Sequence, residues 1–239
     1  MRKAVGDENA TVETVGLNHL SWVTSVISRG RECLPDLINQ GYCSGKEHDP
    51  AKPSFDRECV RACGGIPNSY LTFYYHRDKQ LKRLQTAEQT RAQACMKIEA
   101  DLLKLYGDAG LYEKPALLDK RGGHFYSEAA VSLAESIYND SGAQHTVNTR
   151  TMGVLPYLKP EEVGEVSCRV DRNGPHPLPV KAQGTQHMIQ LIRTVKTYER
   201  LAVEAAVHGD RDMAMAAMLS HPLIGDFDKA RACFHELLE

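Results

Sequence analysis

The sequence predicts an α+β fold with few mixed strands and long packed helices segregated from them. Three observations carry this. Val12 to Ile27 is an apolar stretch that reads as a strand or hairpin. Gln144–Thr149 and Val163–Val170 alternate apolar and polar residues, as half-buried strands do. Residues 78–105 and the last third of the chain repeat apolar residues at three- and four-residue steps, the period of one helical face.

The elements are justified in chain order. After the strand or hairpin at 12–27, Arg29-Gly30 is a turn and Leu34–Asn39 a short helix. Gly41–Ser54 is polar, contains Gly and Pro, and reads as a loop. Phe55–Cys63 is helical and stops at Gly64-Gly65. Asn68 or Ser69 supplies cap chemistry for the next helix. One long helix is expected from Asp78 to Leu105, with Leu81, Leu84, Cys95, Ile98, Leu102 and Leu105 on one face and Gly107 at its end. Glu88 and Arg91 interrupt that stripe. They read as a solvated stretch, and their i, i+3 spacing also allows a pair. Ser127–Asn139 is a second helix. Asp171-Arg172-Asn173-Gly174 signals a hairpin turn. Leu191, Val195, Tyr198, Ala202 and Ala205 form the stripe of a helix closed by Gly209; Arg211–Leu219 and Phe227–Leu237 are the last two helices, separated by Pro222.

Composition narrows the function classes. The 239 residues suffice for one large domain, read as a single domain over 1–239 with residues 1–13 as a flexible start. Hydrophobic residues at 42% and charged residues at 25% are those of an ordinary globular chain. A net charge of −2 gives no electrostatic drive toward nucleic acid or an anionic membrane. No apolar run is long enough to span a bilayer, and Met1–Glu13 has no signal core, so a cytoplasmic location is expected. Seven cysteines, an odd number, suit reduced thiols. Cys33, Cys43, Cys59 and Cys63, with His48 among them, are too irregularly spaced for a usual zinc site. There is no Gly-rich dinucleotide fingerprint, G-x-S-x-G, H-E-x-x-H or Walker loop.

The most informative run is Gly16-Leu17-Asn18-His19-Leu20-Ser21-Trp22. By residue type alone, His19 is either a hydrogen-bonded core histidine or a metal ligand, and Asn18 beside it is able to orient a hydroxylated substrate. Three further segments complete a set: Ile66-Pro67-Asn68-Ser69-Tyr70-Leu71, the stretch from Arg121-Gly122-Gly123-His124-Phe125-Tyr126 to Ala130, and Tyr198-Glu199-Arg200-Leu201 through Ala206. Their order and content resemble the C-terminal part of the family-4 glycoside hydrolases, most closely the 6-phospho-β-glucosidases, over about residues 14–235.

That resemblance implies a fold like the C-terminal domain of lactate dehydrogenase and of family-4 glycosidases. It implies a 6-phospho-sugar substrate, NAD and Mn(2+) as cofactors, and a homo-oligomer. In the family, NAD takes a hydride from C3 of the sugar, a base removes the C2 proton, and the aglycone leaves by elimination before water adds and the hydride returns. The metal stabilises the enediolate as a Lewis acid. By the same resemblance His19 is the metal ligand, Tyr70 the catalytic base of β-specific members, and Asn18 and Arg121 substrate-binding residues. A phenol ordinarily ionises near pH 10, so a neighbouring cation is needed to favour phenolate. A guanidinium fork suits the phosphate or enediolate oxygens, although Arg121 equally fits a cap or a pair within the fold. Gly122-Gly123 allows close backbone approach or is a plain turn.

Two departures stand out. In Asn148-Thr149-Arg150-Thr151-Met152-Gly153, Thr or Met replaces the family's second Asn. The family's N-terminal Rossmann domain, with the NAD site and the Cys of the metal centre, has no counterpart in these 239 residues. The chain is therefore expected to be inactive alone, with a separate Rossmann-domain chain as a possible partner. The alternative is a non-catalytic oligomerisation or sugar-phosphate-binding module. A 2-hydroxyacid dehydrogenase does not fit, because the sequence offers no His–Asp pair with a carboxylate-binding Arg.

Overall fold

A computed structural model describes residues 1–42, 55–121 and 126–238. Cys43, His48 and the loop reading up to Ser54 lie outside the described residues, as does Gly122-Gly123-His124-Phe125. In chain order the elements are α1 (Arg2–Val5), β1 (Thr11–Leu17), β2 (Leu20–Ser28), β3 (Arg31–Glu32), α2 (Leu34–Asn39), α3 (Arg57–Cys63) and β4 (Ile66–Pro67). A 3₁₀ turn (Ser69–Leu71), α4 (Thr72–Tyr75), α5 (Arg77–Gln85), α6 (Arg91–Tyr106), α7 (Leu117–Arg121) and α8 (Tyr126–Tyr138) come next. The remaining elements are β5 (Ala143–Arg150), β6 (Val163–Asp171), β7 (Gly174–Pro177), α9 (Gln186–His208), α10 (Arg211–Ser220) and α11 (Phe227–Leu238). The architecture is α+β, with long packed helices and a small open sheet, as the sequence predicts.

The chain divides into two compact units. The first comprises Met1–Arg77, Gln144–Arg169 and Pro175–Glu239. Its sheet has the order β3-β2-β1-β6-β5, with β4 paired to β2 and β7 to β6. β1 and β2 are antiparallel, with Val15 opposite Trp22 and Leu17 opposite Leu20. The sheet contributes Val15, Trp22, Val26 and Val166 to the core, all at most 1% exposed. Met188 and Ile192 of α9, a helix that contacts β1, are fully buried. Burying each such side chain contributes about 1.5–3 kcal/mol, which makes this the main apolar core of the unit. Among the described residues no helix is long and apolar enough to cross a membrane.

The second unit comprises Asp78–Ala143 and Val170–Gly174 and is mostly α5 to α8. Here the expected single helix over 78–105 is two helices. α5 ends at Gln85, and α6 starts afresh at Arg91 behind Thr90. Thr90 and Gln93 form a reciprocal capping box: the Thr90 hydroxyl accepts the Gln93 N–H at 3.1 Å, and the Gln93 side chain accepts the Thr90 N–H at 2.8 Å. Arg91 donates to the carbonyls of Lys120 and Arg121 rather than pairing with Glu88. The polar gap in the stripe is thus a break between helices with its own cap.

Candidate functional site

The apolar run at 12–27 is a hairpin, and its tip is Asn18-His19. Gly16 makes that geometry possible. At φ +150°, a Cβ on Gly16 would sit 2.2 Å from the Leu20 carbonyl oxygen and 2.5 Å from Ser21 Cα. His19 takes the left-handed conformation, φ +62°, which is costly for a residue with a Cβ. Asn18 and His19 are both exposed, so His19 is not a core histidine. The sequence places these residues in apolar surroundings. The two-residue turn carries them out of those surroundings.

Tyr70 reaches His19 from the other side. Ile66-Pro67 pairs with Val23-Trp22 as β4, and the Asn68 N–H donates to the Ser21 carbonyl at 2.9 Å. The Asn68 side chain then accepts the Tyr70 N–H at 3.1 Å, capping the 3₁₀ turn. Leu71 behind it is fully buried. The outcome is a Tyr70 side chain, 53% exposed, whose ring centroid lies 4.6 Å from that of His19. Hairpin and 3₁₀ turn are thus tied together through backbone and core. Asn18 Oδ1 accepts a long hydrogen bond from Asn148 Nδ2 at 3.5 Å.

Asn18, His19 and Tyr70 border a cavity of about 230 Å³ that is also walled by Phe73, Tyr74 and Glu199. Glu199 stands on α9, and its carboxylate is ion-paired with buried Lys196, whose Nζ also donates to the Val163 carbonyl at 2.9 Å. Burial, and then Tyr198, hold the Tyr74 phenol above its ordinary pKa, so Tyr74 is a neutral donor. Sequence reasoning did not single out Glu199, Phe73 or Tyr74 for this site. Glu199 had a signal, its place in a family-like segment and its i, i+3 spacing from Lys196; the aromatic pair had none beyond its proximity to Tyr70.

Arg121 belongs to the second unit. It is exposed there, with its guanidinium 4.0 Å from the Glu99 carboxylate and its backbone carbonyl receiving Arg91. Such an open ion pair contributes little. In the loop that departs from the family pattern, Thr151 is fully buried and gives its hydroxyl to the Lys159 carbonyl at 3.1 Å. Met152 is exposed at φ +50°. The Thr151 side chain is therefore committed to its own loop.

His19 offers an accessible imidazole, a good ligand for a divalent transition metal. Among the described residues, however, no group of three or more His, Cys, Asp or Glu is placed to hold an ion. Among the described residues, Cys33, Cys59, Cys63, Cys95, Cys168 and Cys233 form no disulfide.

Comparison with known proteins places this chain in a family. The profile described as Family 4 glycosyl hydrolase C-terminal domain matches residues 14–224. The 6-phospho-beta-glucosidase BglT of Thermotoga maritima is 35% identical over 233 residues, 97% of this chain and 54% of the relative. The 6-phospho-beta-glucosidase of Escherichia coli is 29% identical over 240 residues, 97% and 53% respectively. The structure of the Thermotoga maritima 6-phospho-beta glucosidase with manganese, NAD+ and glucose-6-phosphate superposes with a TM-score of 0.87 at 33% identity, covering 99% of this chain and 56% of that one. The chain spans about half the length of the relatives it matches. By the match over residues 14–224, this chain belongs to family 4 of the glycosyl hydrolases, through that family's C-terminal domain.

Proposed function

We propose that the chain is the C-terminal part of a 6-phospho-β-glucosidase, hydrolysing 6-phospho-β-glucosides with NAD and manganese bound jointly with an N-terminal half. The observation that carries this is the His19–Tyr70 pair on a shared pocket. In this reading Tyr70 is the base that removes the sugar C2 proton. Its half-exposed phenol is open to a substrate, and the Asn68 cap fixes its backbone. His19 is this chain's contribution to the metal site, and Asn18 orients a sugar hydroxyl. Arg121 takes an oxyanion, the phosphate or the enediolate. Specificity for β- over α-linkages rests on Tyr70 in its Asn68-Ser69-Tyr70-Leu71 setting.

The test is a chimera joining this chain to the N-terminal half of a relative, assayed on p-nitrophenyl 6-phospho-β-glucoside with NAD+ and Mn(2+). Turnover is expected from the chimera and not from the 239-residue chain. Tyr70→Phe is expected to lower kcat by about 10²- to 10⁴-fold, the usual range for a lost acid–base group. Full activity of the isolated chain, or of the Tyr70→Phe chimera, would refute the reading.

Of the alternative, a non-catalytic oligomerisation or sugar-phosphate-binding module, one observation favours the oligomerisation form. An apolar cavity of about 570 Å³ runs along α9, α10 and α11, between Ala202, Ala205, Met218 and Phe234. A stable oligomer in light scattering, with no binding of metal or sugar phosphate, would favour it.

A further inference from the structure

The sheet carries a second cavity, on the face turned away from its apolar core. Val15 and Trp22 point into the core, so Thr14, Ser21 and Val23, which alternate with them along β1 and β2, point the other way. With Glu165 of β6 and Thr146 of β5 they border a space of about 350 Å³, closed by Asn68 and Ser69. The cavity of His19 and Tyr70 lies with Leu17 and Leu20 on the core side.

This lining is rich in hydrogen-bonding groups that the fold does not use. Among the described residues, the hydroxyls of Thr14, Ser69 and Thr146 make no hydrogen bond, although Thr14 is only 8% exposed. Burying a hydroxyl without a partner is costly unless the space beside it supplies one. Asn68 Oδ1 accepts the Tyr70 N–H, which leaves Nδ2 as a donor. Glu165 Oε1 accepts the Ser21 hydroxyl, and Oε2 has no partner among the described residues. Val23, Ile66 and Pro67 add an apolar patch. A ligand that both gives and takes hydrogen bonds, and has a C–H face for that patch, is a polyol. An anion would meet Glu165, and among the described residues no Lys or Arg lines the cavity; Arg2 and Lys3 line a neighbouring one. A metal ion would find one carboxylate beside an amide donor that repels it. The volume is at the lower end of the roughly 300–1,000 Å³ of small-molecule pockets.

We infer that this cavity binds an uncharged polyol about the size of one sugar ring, at a site separate from that of His19 and Tyr70. Glu165 accepts from one ligand hydroxyl and Asn68 donates to another, while Thr14, Ser69 and Thr146 engage the rest. Ser21 is a positioning residue that holds the Glu165 carboxylate in the wall. The inference does not depend on the catalytic reading.

Titration of the nitrogen-15-labelled 239-residue chain with D-glucose, followed by amide chemical shifts, tests this. Saturable shifts are expected at Thr14, Ser69 and Thr146, with an affinity on the order of millimolar for so small a ligand. Glucose 6-phosphate is expected to act on these three residues about tenfold more weakly, because its charge meets that of Glu165. Thr146→Val keeps the side-chain shape on an edge strand and is expected to weaken glucose about fivefold with the rest of the spectrum unchanged. Glu165→Gln keeps an acceptor for Ser21 and removes the charge. It is expected to narrow the gap between glucose and glucose 6-phosphate, which mere loosening of the fold does not do. Absence of saturable shifts, shifts confined to Asn18, His19 and Tyr70, or glucose 6-phosphate binding here as tightly as glucose would overturn the inference. So would an unchanged affinity in Thr146→Val together with an unchanged gap in Glu165→Gln. A chain that binds glucose here while the chimera never hydrolyses refutes only the catalytic reading.

Discussion

At the scale of single residues, the site depends on two backbone conformations that composition conceals. Gly16 sits where any side chain collides with the opposite strand, and His19 sits at positive φ. Gly16→Ala must push the Leu20 carbonyl away. It is expected to cost about 3 kcal/mol, combining overpacking with a strained φ, and to separate His19 from Tyr70. Urea denaturation measures the first effect and histidine ring chemical shifts the second. His19→Gly, by contrast, relieves the left-handed strain and should change stability by no more than about 1 kcal/mol while deleting the imidazole. The sequence made His19 conspicuous because an imidazole beside an amide in apolar surroundings is rare chemistry. It did not show that His19 is exposed, because a two-residue turn inside an apolar run leaves no mark in hydrophobic periodicity.

At the scale of elements, caps and stops are readable where glycine enforces them. Gly64 and Gly209 end α3 and α9 at φ +75° and +66°, as their positions suggest. The stripe of α9 is legible in part: Val195 and Ala205 are buried, but the deepest positions are Met188 and Ile192. The break between α5 and α6 escapes the periodicity because Thr90 and Gln93 are polar residues in a polar stretch, and their capping roles are visible only once the helix start is known. Thr90→Ala removes the acceptor of the Gln93 N–H and one half of the box. It is expected to destabilise α6 by about 1 kcal/mol, read as faster hydrogen exchange at its first turn, with the first unit unaffected.

At the scale of the molecule, stability should fall with acid in two steps. Burial holds the His221 pKa below the ordinary value of 6.5, and the ring accepts the Leu223 N–H at Nδ1, which needs the neutral form. A depressed folded pKa means that the unfolded chain binds the proton first. The stability contributed by neutral His221 is therefore complete above about pH 6.5 and is lost as pH falls through the folded value. Glu32 is the second case. Burial acts to raise its pKa, but hydrogen bonds from the Ser25 hydroxyl and from the Val26 and Leu34 N–H groups outweigh it, and the net shift is downward. Its contribution is present above the ordinary carboxylate value of 4.5 and is lost as pH falls through the lowered folded value. Thermal midpoints from about pH 8 to about pH 2, a range that brackets the ordinary histidine and carboxylate pKa values, are expected to fall first below about 6.5. His221→Gln should flatten that first step without moving the second.

By itself the sequence determined the class of the fold, the family and the identities of His19, Tyr70 and Asn18 as residues of interest. Local patterns suffice for this, because helical period, strand alternation, glycine stops and motif order are all written in neighbouring residues. Only the tertiary structure decided that Asn18 and His19 form a hairpin tip, that Tyr70 packs against His19, and that Glu199, from a helix far later in the chain, walls the same cavity. Those facts depend on strand register, positive φ and long-range packing, and a linear pattern cannot specify which distant side chains share a space.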